Sequence, residues 1–171
     1  MNRVIVPCGT IILLSILVLA PYLSTRTTLS DSATKERVFY NEIGLKMLKS
    51  KPIFGLGAGT SVLHMKQFSQ EDLKPWEIQP IHNYYLISWA EIGIGAIFLL
   101  FTIVFPTFLL SKRVMVGINT SQLNQWNITL LAIGGAFLIL FFLDHYFYTI
   151  WPTQLLLWLI IGLIYDTSSQ K

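Results

Sequence analysis

Long apolar runs limit the fold of this chain more than any other feature. A helix needs about 20 apolar residues, at a rise of 1.5 Å each, to cross the hydrocarbon core of a bilayer. Only 12% of the residues are charged, against about a quarter in a typical soluble domain. We therefore predict an all-α fold, an integral membrane helical bundle that forms one domain over residues 1–171. We predict about four spans, over residues 4–23, 84–110, 126–143 and 147–165.

The first run admits a second interpretation. Arg3 precedes an apolar stretch, as in a signal peptide, but no small-x-small cleavage site comes before Pro21, so the pattern favours an uncleaved anchor helix. Its Cys8 is the only cysteine of the chain, which excludes an internal disulfide. Only Asp144 and His145 separate the third run from the fourth, and this predicts a tight helical hairpin.

Basic residues next to the spans indicate the orientation. Lys112 and Arg113 are predicted to form a short basic turn after the second run, which favours a cytoplasmic N-terminus and an extracytoplasmic loop over residues 25–81. That loop contains many basic residues of its own, so charge alone leaves the orientation open. In either orientation, span counting places the loop, His82 and the hairpin turn on the same side of the membrane.

The loop is predicted to begin with a helix over residues 33–50. At 100° per residue, its lysines share one narrow sector, which we interpret as the solvated edge. The apolar positions that we expect to be packed lie on two opposite faces, with Tyr40, Ile43 and Met47 on one and Val38 and Leu45 on the other.

Arg37 projects away from the lysine edge of this helix. An arginine turned from solvent needs an anionic partner, because leaving a buried charge unpaired costs several kcal/mol. An anionic substrate would be such a partner. A local salt bridge or a snorkelling side chain explains the position equally well.

Alternate glycines follow the helix, at Gly55, Gly57 and Gly59. Such a loop permits positive φ, and its N–H groups can hold an anion before a helix begins. The pattern is neither a Walker loop nor a Rossmann fingerprint, because no Lys-Ser/Thr pair follows it and no strand precedes it. Taken alone, it also fits a plain turn.

Several ionisable residues lie at or inside the apolar runs. His82 heads the second run, where it is either an interfacial residue or a general base or anion ligand. Glu91 lies deeper, where an unpaired charge costs roughly 2.5–3.5 kcal/mol on insertion scales, so it contacts a ligand or pairs within the bundle. Asp144 and His145 are site residues or simply the polar tip of the hairpin. The histidines are far apart in sequence and no metal-binding spacing occurs, so no metal is predicted.

In their order and their placement relative to the spans, these motifs resemble the O-antigen ligase family of membrane glycosyltransferases and polysaccharide polymerases. The resemblance begins at Arg37 and covers most of the chain after residue 33. Its motifs are PIFGLGAG at residues 52–59, HNYYL at 82–86, AEIGIG at 90–95 and DHYFYT at 144–149.

The resemblance implies an enzyme of the bacterial cytoplasmic (inner) membrane. It would transfer an undecaprenyl-diphosphate-linked glycan to an acceptor hydroxyl at the outer face of that membrane, with inversion and without a metal or other cofactor. The family's arginine corresponds to Arg37, which would bind the diphosphate. Its histidine corresponds to His82, which would accept the hydroxyl proton or bind phosphate. The further residues expected to bind substrate are Gly55, Gly57, Gly59, Asn83, Glu91, Asp144 and His145.

Family members usually have more spans than this chain, which looks like their C-terminal part. We therefore expect N-terminal helices or a partner subunit to complete the donor site. Two other functions fit the sequence: a non-catalytic membrane component that binds or transports a lipid-linked glycan, and an inactive remnant. In a binding component, Arg37 would matter for affinity and His82 would be dispensable. The predicted partners are the bilayer, the lipid-linked glycan and its acceptor, and no nucleic acid.

Overall fold

A computed structural model describes residues 32–119 and 124–169. The first predicted span and Cys8 lie outside these ranges. Within them, all regular secondary structure is helical, as predicted. The elements are α1 (Ser32–Ser50), α2 (Ser61–Phe68), a 3₁₀ turn (Pro75–Glu77), α3 (Tyr84–Ile92), α4 (Gly95–Asn119), α5 (Gln125–Leu143), α6 (Tyr146–Thr149) and α7 (Trp151–Ser169).

Contacts divide the chain into two units, one ending at Phe39 and one beginning at Tyr40. The described part of the first unit is the N-terminal portion of α1, on which Arg37 and Val38 are exposed. This differs from the expectation that both side chains are turned from solvent. The second unit contains the rest of α1 and all the other helices.

In the second unit, α1 buries one stripe of side chains. Tyr40, Ile43 and Met47 are buried, which confirms the first predicted apolar face. Leu45 on the opposite face is 47% exposed, so the second predicted face is wrong. A surface helix needs only one apolar stripe of about 100° to pack, and the remainder of its circumference stays free.

The second predicted span, 84–110, is not one helix. α3 ends at Ile92 and α4 begins at Gly95, because Gly93 adopts a φ of +58° that interrupts helical geometry. Pro106 lies inside α4 without ending it. The helix continues to Asn119, so Lys112 and Arg113 belong to its C-terminal part and not to a turn, which corrects that prediction.

The helices α4, α5 and α7 pack around a shared apolar core. Arg113 Nη1 donates a hydrogen bond of 2.6 Å to the carbonyl of Thr167, so the C-terminal ends of α4 and α7 lie together. Gly134 lets α5 approach its neighbours, since an added Cβ would lie 3.0 Å from Ile164. The buried core residues are Tyr84, Ile103, Leu110, Leu130, Phe137, Phe141, Leu157, Ile161 and Ile164.

Two of the described helices are long and apolar enough to cross a membrane, over Gly95–Gly117 and Gln125–Leu143. The second of these matches the predicted third span closely. The predicted fourth span, 147–165, is not one of these two helices, and it is not a single helix: its first residues belong to α6, and α7 begins at Trp151.

Candidate functional site

The hairpin turn between α5 and α6 forms the base of the first polar cluster. Asp144 caps α5 by donating its N–H to the carbonyl of Leu140 at 3.0 Å. Its Oδ1 then accepts the N–H of His145 at 2.8 Å, which fixes the carboxylate beside the next residue. The same Oδ1 is 3.6 Å from His145 Nε2.

His82 reaches this turn from the N-terminus of α3. Asn83 is the N-cap of that helix, and its Oδ1 accepts the N–H of Leu86 at 3.0 Å. The cap orients the preceding residue, and His82 Nδ1 lies 3.4 Å from Asp144 Oδ1. The His82 and His145 rings are 5.1 Å apart between centroids. The structure therefore brings His82 into contact with the hairpin turn, whereas the sequence predicted only that the two lie on the same side of the membrane.

Tyr40 also packs against His82. Their ring centroids are 5.5 Å apart in an edge-to-face arrangement. The Tyr40 hydroxyl donates to the carbonyl of Glu77 at 2.8 Å, which links the 3₁₀ turn to α1. The imidazole of His82 thus contacts both an aromatic ring and a carboxylate, and it stays partly open to solvent.

His145 is the buried member of the cluster. Its Nδ1 lies 2.6 Å from Thr149 Oγ1 one turn later in α6. Burial lowers the pKa of His145, the Asp144 carboxylate partly opposes this, and His82 lowers the pKa further. The neutral imidazole is therefore the favoured form at neutral pH.

The cluster also offers a set of metal ligands. One possible ligand atom from each of His82, Asp144 and His145 lies within 4.8 Å of the others. Two imidazoles and a carboxylate suit a divalent cation such as Zn²⁺. Sequence spacing did not indicate this set, because the two histidines come together only through the packing of α3 against the hairpin turn.

Glu91 belongs to a second polar cluster, with the glycine loop. The Glu91 side chain is 2% exposed, and its carboxylate accepts the N–H of Gly59 at 2.5 Å and of Ser61 at 2.9 Å. Its carbonyl accepts the N–H of Gly57 at 2.9 Å. The loop does hold an anion, as its pattern indicated, and that anion is a side chain of the same protein.

This arrangement differs from the predicted use of the glycines. We expected their N–H groups to bind a diphosphate, but those of Gly57 and Gly59 bind Glu91, and that of Gly55 binds the carbonyl of Lys51 at 2.9 Å. Glu91 thereby pairs inside the protein. For this carboxylate in an apolar run, such pairing was the alternative to contact with a ligand. A substrate-binding role for Asn83 stays a prediction.

A cavity of about 630 Å³ lies between the two clusters. Thr149 joins the first cluster to it, because this residue contacts His145 and also lines the cavity. Sequence reasoning missed three polar residues of its wall, Ser61, Tyr148 and Gln154, since single polar residues at helix ends give no distinctive pattern. Among the described residues, the lining consists of Ala58, Gly59, Ser61, Val62, Pro80, Tyr84, Glu91, Leu99, Phe147, Tyr148, Thr149, Gln154 and Trp158.

A family model described as O-antigen ligase matches residues 3–101, which is more than half of the chain. The chain belongs to the O-antigen ligase family. The match contains Arg37, the glycine loop, His82 and Glu91, and it ends before Asp144 and His145. The hairpin turn lies outside the matched region in sequence, but it contacts that region in the structure through His82. No curated protein and no solved structure matches the chain.

Together with the apolar helices, family membership identifies this O-antigen ligase relative as a membrane protein. Arg37 lies within the matched region, on the exposed surface of α1 in the first unit.

Proposed function

We propose that this member of the O-antigen ligase family is an inverting glycan ligase or polymerase, acting alone or with further helices. Its donor is an undecaprenyl-diphosphate-linked glycan, and its acceptor is a hydroxyl at the outer face of the bacterial cytoplasmic membrane. The observation that carries the proposal is the contact of His82, a residue of the family-matched region, with Asp144 of the hairpin turn at 3.4 Å.

His82 acts as the general base. With its Nδ1–H directed at Asp144, Nε2 carries the lone pair that accepts the proton of the acceptor hydroxyl. The hydroxyl oxygen attacks the anomeric carbon, the bond from that carbon to the diphosphate oxygen breaks, and undecaprenyl diphosphate leaves. Asp144 stabilises the imidazolium that forms. Neutral His145 adds no positive charge that would oppose this protonation.

Arg37 is the proposed ligand of the diphosphate. Its guanidinium is permanently charged and can bind two phosphate oxygens at once. Its exposure on α1 leaves the side chain accessible to a ligand. We expect Arg37→Lys to lose much of the donor affinity despite the retained charge, whereas Lys35→Arg, at an exposed position two residues away on a different face of α1, serves as the control.

The test of the proposal is transfer by the full-length chain, supplemented with any missing helices, using lipid-linked glycans extracted from host membranes. His82→Ala should lower turnover by about 10²- to 10⁴-fold while donor binding is retained. The control is His64→Ala, since His64 lies outside both clusters and contacts Gln67 on α2. Turnover within a few-fold of wild type in His82→Ala would remove His82 as the general base. Donor binding without any transfer by the wild type would instead show a protein that only binds or transports the glycan.

A further inference from the structure

We propose that the cavity between the two clusters binds an uncharged sugar ring of the glycan substrate. The proposal rests on the glycan-transfer function proposed above and adds a subsite to it. The cavity, at about 630 Å³, has the size of a ligand site, since such pockets usually measure about 300–1,000 Å³.

The charge of the cavity wall favours an uncharged ligand. None of the described residues that line it is Lys, Arg or His, and Glu91 is the one charged residue among them. A diphosphate would face a carboxylate there without a compensating cation. A sugar instead offers hydroxyl donors. The Glu91 carboxylate accepts the N–H groups of Gly59 and Ser61 and interacts with the Tyr148 hydroxyl, and since a carboxylate has about four acceptor sites it can accept a further hydrogen bond.

Ser61 supplies an independent indication of a ligand. It is 1% exposed, and its Oγ has no hydrogen-bond partner within the described part of the chain. Buried hydroxyl groups are normally paired, so an unpaired one in a cavity wall points to a polar ligand. A sugar hydroxyl can donate to this oxygen and accept from it.

Aromatic side chains form much of the remaining wall. Trp158 is 44% exposed, and Tyr84, Phe147 and Tyr148 also line the cavity. A pyranose ring has C–H groups on its faces and hydroxyl groups at its edge. Aromatic rings with polar tips can therefore pack against the faces while polar residues bind the edge.

Apart from Glu91, the polar groups of this wall are uncharged among the described residues. Burial raises the pKa of the Tyr148 hydroxyl, and the neighbouring Glu91 carboxylate raises it further. Tyr148 therefore remains a phenol at neutral pH and keeps its O–H donor. Gln154 is held in the wall by a hydrogen bond from its Nε2 to the carbonyl of Tyr148.

The cavity approaches the first cluster at Thr149, whose Oγ1 lies 2.6 Å from His145 Nδ1. A sugar ring in the cavity would lie beside the cluster that takes up the acceptor proton. The structure thus assigns sugar recognition to the Glu91 side of the site and proton transfer to the His82 side.

Sugar binding is tested by saturation-transfer NMR on the full-length protein in phospholipid nanodiscs that contain no glycoside detergent. The probes are glucose, galactose, rhamnose and N-acetylglucosamine. At least one of them should bind, and Ser61→Ala should weaken that binding roughly tenfold, which is the effect of one lost hydrogen bond. Ser88→Ala is the control, because Ser88 is buried in α3 outside the cavity wall and its Oγ is already bonded to the carbonyl of Tyr85.

Ser61→Ala should fold normally, because it removes a hydroxyl that has no hydrogen-bond partner in the described part of the protein. Trp158→Leu provides a second variant, which should also weaken sugar binding. The inference is overturned if no sugar binds, if Ser61→Ala binds like wild type, or if inorganic pyrophosphate displaces the sugar. In the transfer assay, Ser61→Ala should raise the KM for the substrate that supplies the ring. Whether the KM for the donor or the KM for the acceptor rises therefore identifies that substrate.

Failure of this inference is distinguishable from failure of the proposed function. His82→Ala should retain sugar binding, because His82 does not line the cavity. Loss of transfer in His82→Ala without any sugar binding in the wild type would leave the transfer function standing and remove the subsite. Sugar binding with unchanged transfer in His82→Ala would keep the subsite and remove His82 as the general base.

Discussion

His82 and Asp144 show how the chemistry of the site depends on single side chains. They are 62 positions apart in sequence, and Asp144 Oδ1 is close to His82 Nδ1, to His145 Nε2 and to the His145 N–H. A carboxylate in this position both orients the imidazole of His82 and stabilises its protonated form. Asp144 is therefore a positioning residue in the proposed mechanism.

Replacing Asp144 with asparagine should keep the shape of the turn and remove the charge. We expect kcat to fall at least about tenfold while donor affinity stays close to wild type, since a general base contributes about 10²- to 10⁴-fold to a rate. The loss should therefore appear in kcat and not in the KM for the donor. Asp72→Asn, at an exposed position, is the control. An unchanged kcat in Asp144→Asn would remove Asp144 from the mechanism.

His145 makes stability depend on pH. Its pKa is lowered in the folded protein from the ordinary 6.5, mainly by burial, so the unfolded chain binds the proton more readily. The stability due to neutral His145 is present above about pH 6.5 and is lost as the pH falls through its folded pKa. The thermal midpoint of wild type should therefore fall on acidification from pH 7, and less so in His145→Gln. Equal slopes for the two proteins would contradict this.

Metal removal tests the ligand set of His82, Asp144 and His145. The proposed mechanism places the positive charge on Arg37 and the base on His82, so EDTA dialysis should leave turnover within a few-fold. Turnover that is lost on dialysis and restored by Zn²⁺ would instead identify the cluster as a metal centre.

At the scale of elements, the break between α3 and α4 explains why glycines are needed at both Gly55 and Gly93. The C-terminal carbonyls of α3 are bound by the loop, since Leu56 N–H donates to Ala90 and Gly57 N–H to Glu91, each at 2.9 Å. On the other side, Ile94 N–H donates to the carbonyl of Ile53 at 2.9 Å. These backbone contacts require Gly55 and Gly93, because a Cβ on either would overlap a backbone carbonyl of the opposing segment.

Two matched substitutions separate crowding from backbone strain. Gly55 and Gly59 have nearly equal φ values, +69° and +72°, but an added Cβ would overlap the Glu91 carbonyl at Gly55 and meet nothing within 4 Å at Gly59. Gly59→Ala should cost roughly 1–2 kcal/mol of unfolding free energy from positive φ alone. Gly55→Ala should cost clearly more, and thermal or denaturant unfolding measures both. Equal losses would show that the loop does not pack against α3 as described.

At the scale of the whole molecule, the basic pair Lys112 and Arg113 lies apart from the two polar clusters. The carboxylates and imidazoles of the clusters lie near the break between α3 and α4 and the hairpin turn. Lys112 and Arg113 lie toward the other end of α4. Their position supports the proposed orientation, because basic residues close to a span favour the cytoplasmic side, whereas those of a long loop carry less weight.

Cysteine labelling in intact cells tests this orientation. In a chain with Cys8→Ser, Gln70→Cys should react with a membrane-impermeant maleimide, and Lys112→Cys should react only after permeabilisation. Both positions are exposed in the structure, so lack of access within the protein cannot explain a difference. Labelling of Lys112→Cys in sealed cells would reverse the topology.

The sequence by itself determined the features that depend on composition and local pattern. Apolar runs predicted the helices around residues 126–143, and helical spacing predicted the buried face of Tyr40, Ile43 and Met47. The order of short motifs indicated the O-antigen ligase family. Each of these follows from residues close together in the chain, because helix formation and the partition into lipid depend on short segments.

Only the tertiary structure decided which polar groups meet. Glu91 was recognised as unusual, but its pairing with Gly59 and Ser61 requires the loop to return to the end of α3. The apolar run 84–110 gave no sign of its break, because Gly93 stops the helix only where another backbone packs against it. The His82–Asp144 contact and the cavity beside it likewise arise from segments far apart in sequence, whose distance is set by packing and not by local pattern.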